Sequence, residues 1–461
     1  MVFKIIFEDR YAREDTLSFS ACCIEKAKEQ YYHWWKGYGK DAKYAESKII
    51  SVKGEVIKLR EHQKTLVKSM IKKLNKYGIV YNTSDARIGK TISALHTAKK
   101  LKCESVLFVT TKTAIPDVYK DYEAMDYKFK LQVINYASVH KVHGNYDMII
   151  LDEVTAISSY KPKMNLTQNK IFALMEIAQP RYKVLMSATP NVESGSQLYY
   201  PLRLVGFWDG LNFMQWFNKY GEPSSIRISG GRSVASYKKT NEAKIMKEVK
   251  KLMVSVTRED AGFEQHTTSY NLIEIKPNKV TTTAYEAMIK DSLLEVGDIM
   301  VLGDTSASKA QKCQQITSGF IYDELGNALP LAGEKQMWCL GHIDKKKKTV
   351  IYCQFRYEVD MFKFLYKDIL LEYKDFADAK SGVFVSQQRS GAFGLDLHTA
   401  DKHIFTSLGW SGELFIQSTE RLHNAKRKDD VVVDILHLGL IDKDIAERVI
   451  AKKDYQAKML K

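Results

Sequence analysis

The sequence predicts an α/β protein with two parallel-sheet lobes, and three observations carry that expectation. Apolar runs of strand length recur with helical patterns between them, as strands covered by helices on both faces require. The runs fall into two groups. Gly78 to Tyr81, Ser105 to Thr110, Met148 to Leu151 and Lys183 to Met186 come first; Thr349 to Tyr352, Val383 to Ser386, His403 to Ser407 and Val431 to Leu438 follow. Between the groups, from about Pro201 to Asp344, the pattern reads mainly helical, for example over Asn241 to Met253. A length of 461 residues supports several cores at about 150 residues per domain.

Taken in order, residues 1–55 form a small α+β accessory domain. Strand-like pieces at Val2 to Phe7 and Thr16 to Phe19 precede a helix from Ala21 that carries Tyr31, Tyr32, Trp34 and Trp35. These aromatics suit either stacking on bases or the core of a small domain. The first lobe is expected over 56–270, with a helical and hairpin insertion near 201–255, and the second over 271–461, with a helical bridge at its start. The hairpin signal is the alternation from Ser225 to Val234 about Gly230 and Gly231. With Arg227, Arg232, Lys238 and Lys239 it reads as a nucleic-acid wedge or as a solvated loop.

Composition narrows the function classes. Lys and Arg number 70 against 55 Asp and Glu, a formal charge of +15 that favours a polyanionic partner. No apolar run approaches the roughly 18 to 20 residues of a membrane crossing. Cys22, Cys23, Cys103, Cys313, Cys339 and Cys353 show no Cys-x-x-Cys spacing, and the eleven histidines show no ligand spacing. Neither a disulfide framework nor a zinc site is expected. The opening MVFKIIFEDR is too short and too charged for a secretory signal, so a cytoplasmic, reducing setting is expected.

Two motifs carry chemistry. Ser84-Asp85-Ala86-Arg87-Ile88-Gly89-Lys90-Thr91 follows a strand and precedes a helix whose expected apolar face is Ile92, Leu95, Ala98 and Leu101. A loop there aims backbone N–H groups and a helix N-terminus at phosphate, Lys90 neutralises the outer phosphates, and the Thr91 hydroxyl holds Mg²⁺. The bland alternative is a capped helix with a chance Gly-Lys-Thr. The strand Met148 to Leu151 then delivers Asp152 and Glu153 at its C-terminal end, the edge where open α/β sheets bind ligands. One carboxylate on a metal shell and another orienting water is the division phosphoryl chemistry needs; a helix cap is the alternative.

Further boxes follow in order: Ser187-Ala188-Thr189, Ser390 to Leu397, and Gln417-Ser418-Thr419-Glu420-Arg421. The ordered set resembles the superfamily 2 nucleic-acid helicases and translocases. Leu59-Arg60-Glu61-His62-Gln63, Val133-Ile134-Asn135-Tyr136, Leu198 to Phe217, Val256-Thr257-Arg258-Glu259-Asp260 and Leu440 to Ile445 are similar to the Swi/Snf branch. The likeness covers about Lys58 to Lys453 and is greatest to compact phage or viral branched-DNA helicases.

That resemblance implies two RecA-like lobes, ATP and Mg²⁺ as cofactors, and DNA as partner: duplex, forked or four-way junction. It places Arg60, Gln63, Gly89, Lys90, Thr91, Gly394, Asp396 and Gln417 around the nucleotide, with Gln63 on adenine. Thr91 and Asp152 hold the metal, and Glu153 activates water. Thr111, Lys112, Asn135, Tyr136, Ser386 and Ser390 contact DNA, and Ser187 with Thr189 couples the two sites. It implies a monomeric DNA-dependent ATPase serving replication or recombination, in the host cytoplasm if viral. The family's usual Gly stands as Arg87 here, and its second box arginine as Asn424. Arg421 is therefore the expected γ-phosphate contact, with Arg427 as a displaced substitute. Alternatives are a duplex translocase that never separates strands and a nucleotide-gated DNA-binding module with negligible turnover. A nuclease is set aside, since Glu46-Ser47-Lys48 and Glu372-Tyr373-Lys374 lack a suitable preceding acid.

Overall fold

The structure is a computed structural model that describes residues 2–8, 14–20, 48–54, 58–125, 127–190, 194–227, 233–263, 268–391, 397–422, 427 and 429–459. Expectations placed on Tyr31, Tyr32, Trp34, Trp35, Arg232, Gly394, Asp396 and Asn424 lie outside the described residues. Met1–Ala188, Tyr199–Phe213 and Ala243–Ala261 form one compact unit; Thr189–Leu198, Met214–Glu242 and Gly262–Lys461 form another. The lobe expected over 56–270 included residues 214–242, which pack with the second unit.

At the N-terminus, β1 (Val2–Glu8), β2 (Glu14–Ser20) and β3 (Lys48–Gly54) make an antiparallel sheet in the order β2-β1-β3. The first unit continues with α1 (Glu61–Tyr77), whose Leu66, Val67, Met70 and Leu74 face the core. Gly78, at φ +69°, ends it with an N–H to Leu74 O in the left-handed cap that glycine tolerates. Then come β4 (Ile79–Asn82), α2 (Lys90–Lys100), β5 (Ser105–Thr110), α3 (Ile115–Ala124), β6 (Lys130–Asn135), β7 (Met148–Asp152), α4 (Leu166–Ala178) and β8 (Tyr182–Met186). The buried side of α2 is Ser93, Ala94, Leu95, Thr97 and Ala98, smaller and more polar than the expected face. Val106 to Val109 and Met148 to Leu151 are wholly buried, as parallel strands covered on both faces are.

Along the chain follow α5 (Phe213–Tyr220), the hairpin β9 (Ser224–Arg227) and β10 (Ser233–Ser236), α6 (Glu242–Val249) and β11 (Met253–Val254). The hairpin confirms the sequence signal. β11 returns to the first sheet, which runs β11-β4-β8-β7-β5-β6 with every pair parallel.

From Gly262 on, the second unit runs through β12 (Thr268–Glu274), α7 (Lys279–Asp291), the hairpin β13 (Leu293–Val296) and β14 (Ile299–Leu302), α8 (Ser306–Ile316), the hairpin β15 (Phe320–Tyr322) and β16 (Ala328–Pro330), and α9 (Glu334–His342). The stretch read as mainly helical thus carries hairpins as well. β17 (Lys348–Cys353), α10 (Arg356–Leu365), β18 (Gly382–Gln387), β19 (Lys402–Phe405), α11 (Gly412–Glu420), β20 (Val431–His437) and α12 (Ile441–Met459) complete it. The sheet is parallel throughout, in the order β12-β20-β19-β17-β18. Side chains alternate between its faces: Val350, Tyr352, Phe405 and Val433 pack with Phe415 and Ala446 on one, while Ile351, Cys353 and Ile404 pack with Phe362 and Cys339 on the other. Both lobes are therefore α/β with parallel sheets.

Candidate nucleotide and nucleic-acid site

Three loops leave one edge of the first sheet side by side. β8 lies between β4 and β7, and Met186 is in register with both Asn82 and Asp152. Strands about 4.8 Å apart put the backbones of Asn82 and Asp152 about 10 Å from each other, with Ser187 between them. The chain passes over β8 and β7 on its way from β4 to β5, so this edge is a topological switch point.

The loop after β4 ends in α2, with Gly89 at φ +85° as its N-cap. Arg87 is also left-handed, at φ +64°. That explains the glycine usual here: the backbone needs a conformation that costs an L-residue about 1–2 kcal/mol. Lys90 Nζ donates to Ser84 O and Asp85 O, both at 2.9 Å. Gln63 and His62, buried on α1, reach the same loop: His62 Nε2 lies 3.0 Å from Ile88 O, and Gln63 Nε2 donates to Ile88 O at 3.4 Å while its Oε1 accepts from Arg60 N–H at 2.9 Å. Arg60 itself is exposed at the helix start.

Sequence reasoning missed the brace beneath this loop. Val256 N–H donates to Ser84 Oγ at 3.0 Å, and Arg258 N–H donates to Asp85 Oδ2 at 2.8 Å. Asp260 caps its own turn by accepting from Thr257 N–H. The Val256 to Asp260 segment, noted only for its family likeness, thus holds the loop between β4 and α2. The signal was present: Ser84, standing where a glycine is usual, supplies the accepting hydroxyl.

At the end of β7, Asp152 Oδ2 accepts from Thr110 Oγ1 at 2.9 Å. Burial, then the Glu153 carboxylate, push the Asp152 carboxyl up to about 7 against the pull of Thr110 and Lys90. A divalent cation would relieve that repulsion, so the donor set fits Mg²⁺. Glu153 sits left-handed at φ +49°. Tyr136, 7% exposed, donates its hydroxyl to Asp152 O at 2.7 Å. Its phenol is held well above the usual range by burial and by the two acids. Asn135 Oδ1 accepts from Ser138 N–H. The Tyr136 hydroxyl is therefore turned into the fold, whereas Asn135 is half-buried and caps the turn that follows it. Lys112 is exposed and Thr111 half-buried. Ser187 is fully buried, and Thr189 nearly so.

In the second unit, Ser386 near the end of β18 and Ser390 just after it have hydroxyls 3.3 Å apart. Gln417, buried on α11, donates to Glu413 Oε1 at 3.2 Å. Arg421 follows α11, and its carbonyl accepts from Leu397 N–H. Arg427 is committed elsewhere: its guanidinium donates to His398 O at 2.8 Å, Ala400 O at 3.1 Å and Asp429 O at 3.2 Å. Among the described residues, no group of three or more His, Cys, Asp or Glu is placed to hold a metal ion, and no helix is long and apolar enough to cross a membrane.

No family model matches the chain. A stretch of 95 residues, 20% of the chain, is 32% identical to the Probable ATP-dependent DNA helicase CHR23 of Arabidopsis thaliana, and covers only 9% of that relative's length. Among solved structures, the Sulfolobus solfataricus SWI2/SNF2 ATPase core in complex with dsDNA aligns over 87% of this chain and 92% of its own, at 15% identity and a TM-score of 0.40. The Sulfolobus solfataricus SWI2/SNF2 ATPase core domain aligns over 87% and 90%, at 15% identity and a TM-score of 0.37.

Proposed function

We propose that the chain is an ATP-dependent DNA translocase of the Swi/Snf branch of superfamily 2, hydrolysing ATP to move on duplex or branched DNA. One observation carries this reading: the loop leading to the Gly89-Lys90-Thr91 helix start, Ser187 and Glu153 follow three neighbouring parallel strands whose ends, Asn82, Met186 and Asp152, are in register.

The roles follow from the groups. Lys90 and the N–H groups at the start of α2 neutralise the β- and γ-phosphates, and Gln63 lies against the adenine. Thr91 and Asp152 hold Mg²⁺, which when bound spreads the negative charge developing on the γ-phosphoryl group. Glu153 takes the proton from the attacking water, giving ADP and inorganic phosphate. Arg421 supplies the arginine finger, because Arg427 is spent on backbone carbonyls. Lys112, Thr111, Ser386 and Ser390 contact DNA phosphates without reading sequence. Ser187 and Thr189 couple hydrolysis to that grip, and remodelling of forks or junctions is the finer expectation.

ATP turnover measured on single-stranded, duplex, forked and four-way junction DNA, with Lys90→Ala as the inactive control, tests this reading. Stimulation that is strongest on branched or duplex DNA is expected; no stimulation by any nucleic acid contradicts it.

A further inference from the structure

Two loops leave the first sheet beside the acid pair, one after β5 and one after β6, on adjacent strands. Their outer residues are polar or cationic and exposed: Lys112 and Thr113 on the first, His140 and Lys141 on the second. At the root of each, one buried hydroxyl turns inward to the same residue. Thr110 Oγ1 donates to the Asp152 carboxylate at 2.9 Å, and the Tyr136 hydroxyl donates to the Asp152 carbonyl at 2.7 Å. No step of the hydrolysis uses either hydroxyl.

The carbonyl contact matters because it fixes a peptide plane. The Asp152 carbonyl belongs to the peptide that joins Asp152 to Glu153, and Glu153 then turns left-handed at φ +49°, ψ +57°. A non-glycine residue in that conformation stores about 1–3 kcal/mol and persists only where its surroundings hold it. Tyr136 is one of the groups that hold it, so a small shift of the loop after β6 re-aims the Glu153 carboxylate. Thr110, the last residue of β5, contacts the Asp152 carboxylate directly before the other loop begins. The second loop is tied to the fold by Lys170 Nζ, which donates to Ala137 O at 2.9 Å.

We propose that Thr110 and Tyr136 are positioning residues through which DNA phosphates seated on the 111–114 and 135–141 loops raise ATP turnover at Asp152 and Glu153. This rests on the translocase reading and adds the route of its regulation. The test uses the full chain and measures kcat and KM for ATP with and without saturating duplex DNA, together with the Kd for that DNA. Tyr136→Phe is expected to cut the ratio of DNA-saturated to DNA-free kcat by about tenfold, within the usual range of coupling between sites, with KM and Kd changed less than about twofold. Thr110→Val should do likewise, and Thr110→Ser should restore the ratio. A ratio equal to the wild-type value in both Tyr136→Phe and Thr110→Val overturns the proposal, as does an equal loss of kcat with and without DNA. Absence of DNA stimulation in the wild-type chain overturns the translocase reading itself, and is seen before any variant is compared.

Discussion

A β-carbon built on Gly89 would lie 2.1 Å from Nε2 of Gln63, so a side chain at the start of α2 must displace the end of Gln63 as well as adopt a φ of +85° that disfavours it. Gly89→Ala is therefore expected to weaken ATP binding by at least about tenfold, equivalent to about 1.4 kcal/mol, as read by equilibrium titration with a fluorescent nucleotide. Adding Gln63→Ala to Gly89→Ala should not restore the affinity, because the left-handed backbone remains and the group proposed to lie against the adenine is lost.

Arg87, two residues earlier, is left-handed without being glycine. Arg87→Gly should keep nucleotide affinity within about twofold of wild type, since relief of about 1 kcal/mol of backbone strain offsets the entropy a glycine gains when unfolded. Arg87→Val, branched at Cβ, should fall well below both in the same titration.

Arg421 and Arg427 separate by what their side chains do. Arg427→Ala removes donors from three backbone carbonyls and should lower stability by about 2–4 kcal/mol, read by chemical denaturation. Its turnover per folded molecule should stay near the wild-type value. Arg421→Ala should lose about 10³ in DNA-stimulated turnover per folded molecule. The reverse pattern would move the finger to Arg427.

Much of this architecture was legible in the sequence because central parallel strands are continuous apolar runs: β5, β7, β8 and β17 to β20 all stand where those runs predict. The strands that escaped notice lie at sheet edges. β6 and β12 each pair on one side only, and most of their side chains stay at least partly exposed, so Lys130 to Asn135 and Thr268 to Glu274 mix polar with apolar residues. β11, two residues long, was hidden at the end of a helical pattern. The hairpin of β13 and β14 turns at Gly297-Asp298, a short signal inside a stretch read for its helices. In the site, motif residues were legible one by one, while their partners were not. Nothing in local spacing says that Arg258 N–H reaches Asp85, or that the Tyr136 hydroxyl points inward, because both contacts are made by the tertiary fold.

Lys335 and Asp442, both buried in the second unit, form an ion pair at 2.7 Å. Asp442 also accepts from the N–H groups of Leu438, Leu440 and Lys443. Asp442→Ala leaves a buried ammonium without its counter-charge and should cost about 3–5 kcal/mol by chemical denaturation. Lys335→Met should cost less, since those three N–H donors still satisfy the carboxylate.

Asp121 gives a pH-dependent test. Burial, then the Asp117 carboxylate, raise its carboxyl to about 6 against the pull of Lys120. The folded value lies above the unfolded one, so the neutral acid is favoured by folding, and that contribution is present at low pH and lost as pH rises through 6. Asp121→Asn should raise Tm at pH 7.5, and the gain should vanish by about pH 4.

On the proposed translocase reading, hydrolysis at Lys90 and Asp152 has to produce movement. Displacement of a third strand from a linear triplex measures it directly, on duplex DNA with no fork to open. Displacement that needs hydrolysable ATP and Mg²⁺, and disappears in Lys90→Ala and Asp152→Asn, is the expected result. Displacement that proceeds equally with a non-hydrolysable analogue, or none at all while ATP is turned over at a DNA-stimulated rate, would contradict it.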